Sequence, residues 1–296
     1  MEPSQIIQQI VQIVFSGIVV GGLYSLAAVG LTLILGVMRV INLAHGSFFM
    51  LGAFATYFAL TQTKLNPILC LVTAVLVAVL VVFIIAIPIE RLVIRRAKTD
   101  LMRVSVASFA VAMVLEEAVR IRWGKIYRTL PTYIPATTNF YGVAFDNQRL
   151  VASLFSLLII IGLWLYIKKA RFGMAMRMVQ QDKEMASLLG INANLVNVMV
   201  FGLAGALAGA AASLLSPLYM IYPSMGWPIL LKSFAIVILG GMGSVGGTIF
   251  ASYIFGIVEI GTAFFFGSQW AYITVFLIMI VILLIRPKGF FGKDIF

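Results

Sequence analysis

Charge is scarce in this chain, and negative charge scarcest: ten of 296 residues are Asp or Glu, 21 are Lys or Arg, and charged residues make up 10% of the whole. Soluble domains carry roughly 25% charged residues, so this composition cannot clothe an ordinary water-facing surface. There is one histidine, His45, and one cysteine, Cys70. Cys70 lies inside an apolar run and reads as a small buried hydrophobe; alone, it excludes an internal disulfide and a cysteine metal site. So few ligating groups compose neither a metal cluster nor a nucleophile with a neighbouring base, and no catalytic residue, metal or cofactor is expected. The phosphate loop G-x-x-x-x-G-K-[ST] is missing as well. If ATP powers this protein, another chain must hydrolyse it. The N-terminus, Met1-Glu-Pro-Ser-Gln5, lacks the basic lead of a signal peptide and is followed by too long an apolar run, so no cleavage is expected.

What the chain has is apolar length, with 62% hydrophobic residues. Charge-free runs extend from Pro3 to Met38, Val40 to Thr63, Leu65 to Ile89, Leu150 to Ile167, Met185 to Leu231, Ser233 to Val258 and Ile260 to Ile285. Most exceed the ~20 residues that cross a bilayer as a helix. Lipid offers the backbone no hydrogen-bond partners, and the alternation of a barrel strand is missing, so these runs must be helices or protein-covered broken helices. The expected fold is all-α: one transmembrane domain over residues 1–296, a polytopic bundle of about 8–10 membrane helices, broken or re-entrant ones included. A net charge of +11 could suggest nucleic acid. The basic residues instead fall in loops between spans, so the lipid bilayer of the cell membrane is the expected partner and nucleic acid is not. Three loops concentrate them: Arg91, Arg95, Arg96, Lys98 and Arg103; Lys168, Lys169, Arg171 and Arg177; Arg286, Lys288 and Lys293. The positive-inside rule makes these loops cytoplasmic.

Along the chain, Ile6 to Met38 fits either one tilted span or a span plus a half-helix, and that choice sets the side of the N-terminus. Gly36 to Ser47, interrupted by Arg39, Asn42 and His45, reads as a re-entrant bend or a tight interhelical connection. A second span reaches about Leu60; Asn66 and Pro67 supply a cap and a first-turn proline for a third that ends near Pro88. A short span from Val104 to about Val119 carries Glu116 and Glu117. The polar connection 120–148 is then external, which leaves Arg120, Arg122, Lys125, Arg128 and Arg149 on the side where basic residues are disfavoured. Gly202 to Ala212 offers small residues for close helix packing. Pro217, Pro223 and Pro228, with Tyr219, Tyr222 and Trp227, mark an external turn at the membrane interface.

Several polar features stand out against this background. Gly241-Met-Gly243-Ser244-Val-Gly246 matches the dinucleotide fingerprint and follows the strand-like Ala235–Leu239, with Glu259 downstream. No βαβ alternation surrounds it, so it reads as a glycine turn that breaks a membrane helix and lines a polar pathway. Arg39, Asn42, His45, Gly46, Lys232, Gly241, Gly243, Ser244 and Glu259 are the candidate path residues, because ionisable groups inside spans face a bundle interior, an aqueous cavity or an ion pair. Arg39 and Glu116 could instead snorkel, His45 could be a structural hydrogen-bonding residue, and Lys232 could point outward.

The polar island Gln181 to Asn192 reads as a docking handle. Asp182 caps a helix, Glu184 suits its first turn and Gly190 stops it, giving a two-turn helix from about Lys183 to Leu189. Met185, Leu188 and Leu189 share one apolar face, with Ala186 between them, and a helix this short needs a partner surface.

Gly22-Leu-Tyr-Ser-Leu26, Gly36 through His45-Gly46, Asp182 through Asn192, Leu239 through Ser244 and Arg286-Pro287-Lys-Gly289 together resemble a permease subunit of the branched-chain amino-acid ABC importers, over nearly the full length. The looser E-x-A-x-x-x-G pattern of ABC permeases is met at Glu184, Ala186 and Gly190. The resemblance implies a coupling helix at about 182–190, a second related permease subunit, two cytoplasmic ATPase subunits and an extracytoplasmic substrate-binding protein. Urea and short-amide importers share the His-Gly and Gly-Gly-x-Gly-Ser stretches, but resemble one another in an acidic residue where this chain has Lys232. An ion-coupled secondary transporter would use an intramembrane carboxylate, with Glu259 the main candidate. An oxidoreductase built on the glycine motif would carry a coloured cofactor.

Overall fold

The computed structural model describes residues 3–61, 66–97, 100–132, 134, 136–140, 143–286 and 289–292. Met1 and Glu2 at the N-terminus, most of the 61–66 loop, and Lys98, Pro287, Lys288 and Lys293 of the basic loops lie outside those residues. The helices are α1 (Pro3–Leu33), α2 (His45–Thr61), α3 (Pro67–Ile89), α4 (Arg95–Ala97), α5 (Leu101–Trp123), α6 (Asn147–Lys169), α7 (Arg171–Gln181), α8 (Lys183–Leu188), α9 (Ala193–Leu215), α10 (Gly226–Gly240), α11 (Val245–Phe266) and α12 (Ser268–Ile285). Among the described residues, six stretches are long and apolar enough to cross a membrane: Ile7–Met38, Pro67–Ala97, Asn147–Lys169, Ala193–Leu215, Val245–Phe266 and Ser268–Ile285. The chain is therefore a multi-pass helical bundle, as its composition requires.

The first run is one helix, prolonged by a π-helical turn over Ile34–Met38, with no half-helix. Its far end meets the inner face: Gly36 packs on Gly243, and the Arg39 guanidinium donates to the Gln180 carbonyl at 3.1 Å. At the opposite face Arg128 and Ile221 exchange backbone hydrogen bonds of 2.9 and 2.8 Å, tying the 124–146 connection to the proline-rich turn after α9. With the side of the basic loops taken as the inner one, as the positive-inside rule makes it, α1, α3, α6, α10 and α12 run inward and α2, α5, α9 and α11 outward. The start of α1 is thus on the side opposite the basic loops.

The packing rests on small residues. A Cβ placed on Gly21 of α1 would lie 2.6 Å from the Ser252 carbonyl oxygen of α11, so the two backbones touch where any side chain would separate them. The Gly/Ala-rich stretch forms the middle of α9, buried between α1, α2 and α3. Lipid-like surroundings give no hydrophobic drive between helices, so such close approach is what holds them together.

Three details differ from the sequence reading. The third span does not end near Pro88. The missing proline N–H is absorbed by a π-helical turn, Glu90–Ile94, and helix continues to Ala97. That turn brings Arg95 to 3.0 Å from Glu90, five residues back. Asn66 makes no side-chain cap bond; Pro67 alone, with its preset φ, starts α3. Finally, the external connection holds an antiparallel hairpin, β1 (Thr137–Phe140) and β2 (Val143–Asp146), with Thr137 opposite Asp146.

Candidate functional site

Two of the sequence candidates meet. Lys232 on α10 and Glu259 on α11 are 27 residues apart, yet Lys232 Nζ lies 2.6 Å from Glu259 Oε1. The α10–α11 turn lets the two helices pack against each other, and the long lysine side chain reaches Glu259 across their contact. Lys232 is 4% exposed, so the outward-pointing alternative does not hold. Its ammonium also donates to the Tyr24 hydroxyl of α1 at 2.6 Å, and sits 4.6 Å from the Tyr24 ring centroid and 4.7 Å from that of Tyr272 on α12. The Tyr24 hydroxyl donates in turn to Glu259 Oε1 at 3.3 Å and lies 3.3 Å from the Tyr219 hydroxyl in the external turn. Four helices and one loop thus converge on a single ionic centre. Desolvated charges in a low-dielectric interior are stable only when paired and hydrogen-bonded, and here each charge has the other.

Sequence reasoning marked both ions but not their tyrosines. Tyr24 was visible only as a lone aromatic hydroxyl among apolar and small residues, within Gly22-Leu-Tyr-Ser-Leu26; the hydroxyl of a tyrosine only 2% exposed must find a partner.

A second constellation surrounds the start of α2. After Met38 the chain turns at Arg39, the one described non-glycine residue with positive φ (53°), and re-enters the bundle without regular structure, through a turn at Leu43 and Ala44. Ser108 of α5 holds this stretch, accepting from Leu43 N at 3.0 Å, and the Asn42 side chain accepts from Ala44 N at 3.1 Å. The helix therefore begins inside the protein: His45 Nε2 bonds the Ala27 carbonyl at 2.9 Å, and Gly46 packs directly on Gly226 at the head of α10. Asn42 and His45 are buried, whereas Arg39 is exposed at the inner face.

The glycine motif is a turn between two helices, and Ala235–Leu239 is helical, so no nucleotide-binding strand precedes it. Gly241 and Gly243 adopt φ of 96° and 81°, and Ser244 Oγ accepts from Gly247 N at 3.2 Å to start α11. The turn lies at the inner end of the bundle. The C-terminal segment clamps it, with Phe290 N donating to Leu239 O (2.8 Å) and Phe291 N to Gly240 O (3.2 Å). It stands apart from the ionic centre.

On the same face α7 packs Gly173, Met176 and Val179 inward and carries α8 at its end. The polar island folds as its residues require. Asp182 Oδ1 accepts from Glu184 N (2.8 Å) and Met185 N (3.0 Å); Gly190 closes the helix at φ 80°, and Ile191 N bonds Ala186 O at 3.0 Å. Only Ala186 is buried. Leu188 is 81% exposed, Leu189 63% and Met185 55%. Between α7, α8 and the end of α1 lies a cavity of ≈ 340 Å³ lined by Val37, Arg39, Gln180, Lys183 and Asn197 among others.

The chain is thus a multi-pass membrane bundle with a buried ion pair and a short helix whose apolar side chains are exposed. The chain belongs to the family described as "Branched-chain amino acid transport system / permease component", whose profile matches residues 13–284. It is 30% identical, over 94% of each chain, to the high-affinity branched-chain amino acid transport system permease protein BraD of Pseudomonas aeruginosa. To the permease LivH of Salmonella typhimurium it is 27% identical over 95% of each chain. To the probable branched-chain amino acid transport permease LivH of Methanocaldococcus jannaschii it is 30% identical over 94% of this chain and 91% of that one.

Proposed function

We propose that the chain is one membrane subunit of an ATP-driven importer of branched-chain and similar hydrophobic amino acids, with α8 as the segment through which ATP hydrolysis reaches the bundle. The observation that carries this reading is the exposed face of α8. Met185, Leu188 and Leu189 stand in water on a helix that is capped and stopped by its own sequence. Exposing them is unfavourable by about 1.5–3 kcal/mol for each fully buried large side chain, which a seat in a partner recovers. The partner on that face would be an ATPase subunit, one for each of two permease subunits. The second permease would cover the flank near the ionic centre, where Tyr219 and Tyr272 are half-exposed. A binding protein on the outer face would deliver the amino acid.

The names of the relatives above supply the branched-chain passenger. An ion-coupled carrier is less well supported, because the intramembrane carboxylate it would need, Glu259, is engaged by Lys232. The test is uptake of labelled leucine by vesicles holding the chain with its co-purified subunits and binding protein. Uptake should require internal ATP and persist when proton and sodium gradients are collapsed. Uptake that follows an ion gradient and ignores ATP would overturn the reading.

A further inference from the structure

Lys232 lies in a setting that recognises ammonium groups in general. Two aromatic faces flank its Nζ, and a carboxylate oxygen and a phenol oxygen each lie 2.6 Å away. A carboxylate between π faces binds any ammonium of suitable size, whether it arrives on a side chain or on a ligand. The site is also incompletely used. Glu259 Oε2 is buried and has no hydrogen-bond partner among the described residues, beside an Oε1 that has two. An unpartnered buried carboxylate oxygen costs free energy unless another state of the protein satisfies it. Of the cluster's members, Tyr219 (44% exposed) and Tyr272 (47%) reach the surface.

We propose that this cluster is an exchange site for zwitterions: the Lys232 ammonium occupies, in the empty state, an ammonium site formed by Tyr24, Tyr272 and Glu259, and a passing amino acid takes its place. The ligand ammonium then pairs with Glu259, both oxygens included, while the ligand carboxylate takes the released Lys232 ammonium. The proposal rests on the transport reading above for the nature of the passenger. Charge balances at each stage, since one ion pair becomes two and no bare charge is left in the bundle. The four-carbon lysine stem gives the ammonium the reach to move aside. A ligand bearing an amine alone would strand Lys232 and one bearing a carboxylate alone would strand Glu259. Neutral amides could split the pair from neither side.

The experiment uses the assembled transporter with its binding protein and the double variant Lys232→Met, Glu259→Gln. An ion pair that serves only the fold can be exchanged for uncharged groups of similar size with little penalty. The exchange site requires both charges, so the double variant should insert and co-purify with its ATPases yet take up leucine at a rate lower by roughly tenfold or more. Uptake closer than that to the unaltered transporter overturns the proposal. Should the double variant fail to insert, the unaltered transporter without binding protein supplies the readout. Millimolar leucine should raise its melting temperature, whereas 3-methylbutylamine and 4-methylpentanoate should not. An equal shift from either single-charge analogue, or none from leucine, also overturns the proposal. A transporter that moves no amino acid even when unaltered fails the transport reading itself, which keeps the two failures apart.

Discussion

At the level of Tyr24, two formal charges are enclosed by apolar helices; on α8, at the inner face, two leucines and a methionine are turned toward water. Each region is at odds with its medium, in opposite senses. The ionic centre meets its mismatch from within, by pairing Lys232 with Glu259 and surrounding the ammonium with tyrosines. Helix α8 has no such internal remedy: Asp182 caps its start and Gly190 stops its end, while Met185, Leu188 and Leu189 stay exposed. An internally paired mismatch stores alternative pairings, whereas an uncovered one points to a separate body. Perturbing the first should therefore be felt in the stability of the chain itself, and perturbing the second only in its assembly.

The largest effect is expected from breaking the ion pair on one side. Lys232→Met leaves Glu259 with only the 3.3 Å contact from Tyr24, and stranding a buried charge costs about 3–5 kcal/mol. Glu259→Gln should cost less, because Lys232 keeps the Tyr24 hydroxyl at 2.6 Å and two ring faces. Thermal unfolding in detergent should rank the unaltered chain above Glu259→Gln and that above Lys232→Met. The reverse order would mean that the carboxylate, not the ammonium, organises the centre.

Leu188→Asp probes the other region. At 81% exposure the change should leave the melting curve of the isolated chain where it was. In the assembled importer it would bury an unpaired carboxylate, and a penalty of about 3 kcal/mol is more than a hundredfold in affinity. The ATPase subunits should be lost on purification. If they remain bound and hydrolysis stays coupled to uptake, α8 is not their seat.

Gly243→Leu should fall between the two regions in kind. A left-handed backbone costs an L-residue roughly 1–2 kcal/mol, and here the Gly243 backbone also touches Gly36. The turn joins α10, which bears Lys232, to α11, which bears Glu259. Uptake should fall sharply while membrane insertion persists, read as protein recovered in the membrane fraction. Wild-type uptake would show that the tight turn merely connects.

Helix α8 was legible in the sequence almost to the residue because everything that shapes it is local: a cap, a stop and a three-four spacing within about two turns. The bundle class was legible from composition alone. The ionic centre was not, although both of its charges were marked. Which face of α10 carries Lys232, and that Tyr24 some 208 residues away meets it, follow from helix phase and the small-residue contacts of α1 with α11. Sequence spacing carries no such information. Asn66 and Pro88 failed for a related reason: proline chemistry sets a preference, and the packing around α3 decided between a stop and a π-helical turn. Glycine spacing in Gly241–Gly246 fitted a phosphate-binding turn equally well until its flanks proved helical.

The smallest effect separates shape from charge in α8. Asp182 Oδ1 accepts from the Glu184 and Met185 amides, and removing an N-cap costs about 1 kcal/mol, within a range of ~0.5–2. α8 is six residues long and is tied to the bundle through Ala186, so Asp182→Ala should loosen its first turn without moving the unfolding transition of the chain. ATPase affinity should drop by roughly fivefold, the equivalent of ~1 kcal/mol. Asparagine caps helices about as well as aspartate but carries no charge. Asp182→Asn should therefore keep full affinity if the residue acts by holding α8 in shape, with the apolar face making the contact. An Asp182→Asn protein that binds its ATPases as weakly as Asp182→Ala would instead assign the carboxylate a direct ionic contact with the partner, and α8 would then owe its docking to charge as well as to its uncovered leucines.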